Sequence, residues 1–217
     1  MADLTPPTPS EAFETLLAGN HRFASGTPQH PNQDAAARRA ERVPGRRPFA
    51  VLFGCSDSRL AAEIIFDRGL ADLFVVRTAG HVMGPEVLGS IEYGVGMLGV
   101  PLVVVLGHDA CDVVVAARAA VEEGTTAQGY VRDVIERVTP SVLAARAAGL
   151  SNDRDFIAEH VRYTVDLLLE RSRVLAAQVA AGRTAVVGLS YLLEAGTAHL
   201  VTSHGLPEAA AARGPSA

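Results

Sequence analysis

Pro48-Phe49-Ala50-Val51-Leu52-Phe53-Gly54 runs directly into Cys55-Ser56-Asp57-Ser58-Arg59. The first half is apolar at both parities, the pattern of a strand covered on both faces in a parallel sheet. The second half carries a thiol, a carboxylate and a guanidinium at alternate positions. In extended or loop backbone, residues two apart project to the same side, so Cys55, Asp57 and Arg59 can face one pocket. A second run, Pro101-Leu102-Val103-Val104-Val105-Leu106-Gly107, ends the same way and delivers His108 and then Cys111. The chain has two cysteines. Each follows the C-terminal end of an expected strand, where open α/β sheets build their sites. These residues point to a single metal site.

Working outward, strands are expected at 48–53, 72–77, 101–106 and 184–189, with Ala198–Thr202 returning as an edge strand. Helices are expected at 60–66, at 85–98 with Pro85 near its start, at 109–123, at 131–147, and in one long stretch over 153–181 that stops at Gly182. That long stretch carries Phe156, Ile157, Val161, Val165, Leu168, Leu169 and Leu175 at helical spacing. Strands alternating with helices predict an α/β fold: a mostly parallel central sheet of four strands plus an edge strand, flanked by helices. Towards the N-terminus, Ser10 is expected to cap a helix beginning at Glu11, with Phe13, Leu16 and Leu17 on its apolar face. Residues 11–47 form an N-terminal arm, including a short helix near Asp34–Glu41. Residues 1–10 and 207–217 are expected to be loose. The cluster Arg38, Arg39, Arg42, Arg46 and Arg47 reads as a solvated face or as ion pairs across an oligomer contact, with anion binding as the alternative.

Bulk properties bound the function classes. With 217 residues and 48% apolar content the chain can bury a core of its own, and one domain over 1–217 is the simplest organisation. A formal net charge of −5 gives no reason to expect nucleic acid or an acidic membrane as partner. No apolar run approaches the roughly 18 residues of a spanning helix. Met1–Pro7 has neither a basic nor an apolar region, so no export signal is expected and a cytoplasmic location follows. There the cysteines stay reduced. Nothing resembles a dinucleotide fingerprint or a phosphate-binding lysine loop, so nucleotide binding has no support.

Zinc takes thiolate, imidazole and carboxylate ligands in a tetrahedron. Cys55, His108 and Cys111 supply two sulfurs and one nitrogen, and His108 and Cys111 stand three apart, the spacing of one helical turn. A Cys₂His set leaves the fourth position open, as in a catalytic zinc site. The bland alternative is a pair of inert buried thiols. Asp57 and Arg59 beside the first ligand weigh against it. His81, after a strand, is a secondary candidate beside its reading as a loop histidine. His21, His160 and His199 read as surface or packing residues, and Tyr93 as a core residue of its helix.

Cys55-Ser56-Asp57-Ser58-Arg59, followed about fifty residues later by Gly107-His108-Asp109-Ala110-Cys111, resembles the β-class carbonic anhydrases, particularly bacterial and actinobacterial members. Ala62–Asp67, Phe74–Gly80, Gly89–Tyr93 and Leu17-Ala18-Gly19-Asn20-His21-Arg22-Phe23 extend the likeness over roughly residues 11–205. The resemblance implies one zinc ion per chain on Cys55, His108 and Cys111, and reversible hydration of CO₂ to bicarbonate and a proton by zinc-bound hydroxide. In the active form Asp57 pairs with Arg59 and orients the hydroxide. In a closed form Asp57 is the fourth ligand. Phe74, Ala79 and Tyr93 are expected to line an apolar substrate pocket, partly across a homodimer or homotetramer contact. Arg46 stands where many members carry a substrate-binding glutamine, and Asp112 where many carry glycine. The chain has no tryptophan, so the tryptophan-containing bicarbonate-inhibition site of some members is not expected. Two alternatives stay open: hydrolysis of a CO₂ analogue such as carbonyl sulfide on the same scaffold, and a non-catalytic zinc or thiol redox protein.

Overall fold

The computed structural model describes residues 6–31, 33–34 and 48–211. Arg46, with the rest of its basic cluster and most of the helix expected near Asp34–Glu41, lies outside the described residues. A single sheet has the strand order β2-β1-β3-β4-β5, where β1 is Ala50–Cys55, β2 Leu73–Thr78, β3 Leu102–His108, β4 Ala185–Leu192 and β5 Thr197–His204. The first four strands are parallel, and β5 returns antiparallel beside β4. Every residue of β1 and β3 is buried, which explains their unbroken apolar runs.

Successive side chains of a strand face opposite ways, and the two faces build two cores. Leu52, Val104, Leu106 and Val187 meet Phe13 and Leu16 of α1 (Pro9–Ala24), Val114 and Ala117 of α4 (Asp112–Glu123), and Val138 and Val142 of α5 (Tyr130–Ala147). Val51, Phe53, Val103, Val105 and Val186 face Val87 and Ile91 of α3 (Pro85–Glu92) and Val161, Val165 and Leu168 of α6 (Asp153–Arg171). A short α2 (Ala62–Ile65) follows β1, and α7 (Arg173–Ala180) leads into β4. Among the described residues, no helix is long and apolar enough to cross a membrane.

Several boundaries differ from expectation, each for a local reason. The cap of α1 is Thr8 rather than Ser10: the Thr8 Oγ1 accepts from the Glu11 N–H at 3.3 Å and the Glu11 carboxylate accepts from the Thr8 N–H at 2.8 Å. With Pro9 in the first turn, this capping box starts the helix inside the stretch expected to be loose. The long 153–181 helix is two helices, because Ser172 leaves helical geometry (φ −101°, ψ 101°). Its hydroxyl donates to Glu92 at 2.6 Å and accepts from the Leu175 N–H at 3.0 Å, ending α6 and capping α7. The 85–98 helix is α-helical to Glu92 and continues as a wider π turn over Tyr93–Met97. There Gly94 lies so close to β1 that a Cβ would stand 2.5 Å from Val51 Cγ2. Beyond Pro207, Glu208–Ala211 form one helical turn, α8.

Helix α6 is seated on the sheet through a glycine. A Cβ on Gly188 of β4 would lie 2.5 Å from Val161 Cγ1 and 2.9 Å from Thr202 Cγ2. Gly188→Ala is therefore expected to destabilise by roughly 1–3 kcal/mol through overpacking. In urea unfolding this lowers the midpoint with the slope unchanged.

Candidate metal centre

The parallel register places Gly54 of β1 opposite Leu106 of β3, so Cys55 and His108 leave the sheet at the same C-terminal edge. Beyond His108 the chain turns through Ala110, a non-glycine residue at φ 52°. It then enters α4 with Cys111 as N-cap. His108 and Cys111 thus converge across a strand–turn–helix junction rather than on one helical turn as the spacing suggested. The three donor atoms of Cys55, His108 and Cys111 lie within 4.8 Å of one another, and all three residues are buried.

The surrounding backbone fixes how these donors point. His108 Nδ1 donates to the Asp109 carbonyl at 2.8 Å, which leaves Nε2 buried with no hydrogen-bond partner. An imidazole so held presents the Nε2 lone pair to a metal. Asp109 is itself fixed: its N–H donates to the Tyr191 carbonyl at 3.0 Å, and its Oδ1 accepts from the Leu193 N–H at 2.8 Å. Cys55 Sγ accepts from the Gly80 N–H at 3.3 Å. Gly80 has φ 61°, and a Cβ there would stand 2.7 Å from Val113 Cγ1, so both conformation and space require glycine. The Gly80 carbonyl accepts from His160 Nε2 at 2.9 Å.

The two thiols share one proton unequally. The hydrogen bond from Cys111 lowers Cys55 to about 4 against the opposing effect of burial, with His108 and the Asp57 and Gly80 N–H groups adding to the drop. Cys111 moves up, because the same bond holds its proton and burial disfavours a second thiolate. Burial lowers His108, and the neighbouring Cys55 sulfur and the Asp109 carbonyl outweigh it, so the imidazole rises above its ordinary value. A buried thiolate, a second thiol and an imidazole lone pair fit a soft N/S-binding cation such as zinc.

Beside this set, Arg59 grips Asp57 with three bonds. Its backbone N–H and Nε reach Oδ1 at 2.8 and 2.9 Å, and its terminal amino group reaches Oδ2 at 2.6 Å. The Arg59 hydrogen bonds hold the Asp57 carboxyl well below the usual carboxylate range. Asp57 is 14% exposed and Arg59 50%, which puts the pair at the mouth of the site. Asp112 is exposed in the first turn of α4, where a carboxylate suits the helix dipole.

Within one chain the expected pocket residues do not all stand together. Ala79 adjoins Gly80 and is exposed. Phe74 and Tyr93 stand together with ring centroids 6.2 Å apart. Phe74 pairs with Val51, four residues below the Cys55–Thr78 level, or about 13 Å along the strand. Tyr93 is 51% exposed, not core. His81 and His160, expected on a loop and as a surface or packing residue, are both buried. Sequence reasoning passed over Gly80, Asp109 and Arg77. Arg77 donates to the carbonyls of Cys55 (2.9 Å) and Asp57, clamping the loop that carries both. Its signal was available: a charged residue inside an otherwise apolar strand, two positions before a turn.

The geometry defines an α/β protein with a buried Cys–His–Cys donor cluster, able to hold a metal ion, at the C-terminal edge of a parallel sheet. The carbonic anhydrase family model matches residues 50–198. The chain is 55% identical over 192 residues to Carbonic anhydrase 2 of Mycobacterium tuberculosis, covering 88% of this chain and 92% of that protein. It is 54% identical to the carbonic anhydrase of Mycolicibacterium smegmatis, covering 88% and 93%. Among solved structures, Coccomyxa β-carbonic anhydrase in complex with acetazolamide superposes with a TM-score of 0.66 at 23% identity, covering 98% of this chain and 92% of that one. The β-carbonic anhydrase CafA of Aspergillus fumigatus gives 0.64 at 26% identity, covering 92% and 95%. The chain belongs to the carbonic anhydrase family, and within it to the β class.

A metal on this set protects both sulfurs. In folded, metal-loaded protein a thiol reagent is expected to find neither cysteine, and after a strong chelator to find both. A disulfide would instead show no thiols in either state.

Proposed function

We propose that this chain catalyses the reversible hydration of CO₂ to bicarbonate and a proton, with one zinc ion held by Cys55, His108 and Cys111. The observation that carries the reading is the convergence of these three donors within 4.8 Å beside an ionised carboxylate, in a chain of this family. When bound, zinc supplies Lewis acidity that lowers the pKa of a coordinated water from 15.7 to about 7 and so provides a nucleophile at neutral pH.

The chain's own residues do the rest. Asp57 is the hydrogen-bond acceptor that orients the attacking water. Arg59 keeps that carboxylate ionised and turned to the mouth, and its three-point grip disfavours the closed form in which Asp57 would become a fourth ligand. The Gly80 N–H and the Arg77 clamp hold Cys55 and the 55–57 loop still while substrate changes. Phe74, Ala79 and Tyr93 line the substrate pocket, and Arg46 is assigned to substrate binding from its sequence position alone. The 13 Å drop from Cys55 to Phe74 supports a pocket completed across a subunit contact, with the Phe74–Tyr93 pair serving the neighbouring copy. Self-association as a homodimer or homotetramer fits the exposure of Tyr93 and Met97 near β2, the edge strand among the described residues. CO₂ and bicarbonate are then the only ligands required of the site, and a cytoplasmic location fits that chemistry.

Asp57 titrates far below neutrality, so it stays ionised between about pH 6.5 and 9 and contributes no slope there. Its own effect on stability is present at neutral pH and is lost only as pH falls through its depressed folded value. Stopped-flow CO₂ hydration on metal-quantified protein should therefore show zinc near one per chain and a rate that rises with pH over this window. Asp57→Asn should keep the zinc and lose on the order of 100-fold in kcat/KM. Full zinc with no hydration at high pH would sink the assignment.

A further inference from the structure

The turn through His81 and the helices α5 and α6 line an open cavity of about 380 Å³. Arg137, Arg171 and Tyr163 line it together with His81 and His160, and among the described residues no carboxylate lines it. Arg137 donates to the Met83 carbonyl at 2.6 Å. Among the described residues, neither arginine forms an ion pair with a carboxylate, although both are exposed. Such guanidinium groups recognise oxyanions bidentately.

The histidines make the cavity more than a basic surface. His81 is 1% exposed, and among the described residues neither of its ring nitrogens has a hydrogen-bond partner. Its ring lies against His160 (centroids 4.3 Å apart) and edge-on to Phe53 (6.2 Å). A neutral imidazole carries one N–H and one lone pair, and a buried N–H without an acceptor is unfavourable. His160 adds to this. Its Nε2 must donate to the Gly80 carbonyl, which can only accept. Ser141 has a single O–H to share between the Val138 carbonyl at 2.7 Å and His160 Nδ1 at 2.9 Å. When Val138 receives it, His160 Nδ1 must donate as well, and the ring is a cation. Burial opposes that charge. An anion in the cavity offsets the opposition and offers His81 an acceptor.

We propose that this cavity binds a small oxyanion of the phosphate type, free or as a monoester, between Arg137 and Arg171 at the mouth and the His81–His160 pair at the floor. Met83 and Leu167 form an apolar flank suited to the short organic body of a monoester. The site is separate from the metal centre: the Gly80 N–H is engaged by Cys55 Sγ, and it is the Gly80 carbonyl that faces His160.

The test is thermal unfolding of the zinc-loaded full chain in rising inorganic phosphate, with chloride holding ionic strength constant. A saturable rise of about 5–10 °C is expected at a hundredfold excess over the dissociation constant. Arg171→Gln and Arg137→Gln should abolish the rise, and Arg59→Gln, at the metal centre, should keep it. Among the described residues the Arg171 side chain bonds to no backbone carbonyl, so Arg171→Gln decides the matter should Arg137→Gln fail to fold. Glycerol phosphate in a parallel titration separates the sources: a larger rise than with phosphate assigns a monoester, and an equal one the free ion. No saturable rise with either probe, a rise that survives Arg171→Gln, or one lost in Arg59→Gln overturns the proposal.

Discussion

Parallel pairing of β1 with β3 is the constraint on which the site depends. Two strands of different length and distant sequence position end at one edge because Val51 to Gly54 pair with Val103 to Leu106 in unbroken register. A slip by one residue would turn every side chain of a strand to the other face, exchanging the two cores. The apolar pattern on both faces prevents that slip. The level at which Cys55 and His108 emerge is therefore set by hydrophobic packing well below them.

Around the donors, nearly every support is a backbone group. The Gly80 N–H reaches Cys55, the Asp109 carbonyl reaches His108, and the N–H groups of Val113 and Val114 at the start of α4 favour charge on Cys111. Fixed dipoles of this kind suit a buried thiolate, because they stabilise charge without carrying a charge that must itself be solvated. The charged pair, Asp57 with Arg59, is kept at the mouth where water reaches it. Arg77 ties the two regions together through carbonyls rather than side chains.

The fold also divides the molecule by chemistry. One side of Gly80 is the metal centre. The other holds the buried histidine pair and the arginine-lined cavity, and the backbone of that glycine carries a hydrogen bond on each side. Phe74 and Tyr93 belong to neither place within one chain. Phe74 is half-buried and Tyr93 exposed beside β2, the edge strand among the described residues.

The sequence by itself determined the α/β class, all five strands to within a few residues, the Cys–His–Cys donors and the Asp57–Arg59 pair. These rest on local signals: doubly apolar runs, residues at alternate positions, and donors placed just past strand ends. Helix boundaries were legible only in part, since the Thr8–Glu11 box and the Ser172 cap are short polar signals inside longer apolar patterns. The tertiary structure alone decided that Ala110 turns left-handed to bring Cys111 round to His108. It also decided that Gly80, Asp109 and Arg77 are the supports of the centre, and that His81 and His160 are buried together. The physical reason is separation along the chain. Gly80 meets Cys55 across 25 residues, and His160 meets Gly80 across 80. No local pattern records a hydrogen bond that exists only after the strands have paired and α6 has packed on them.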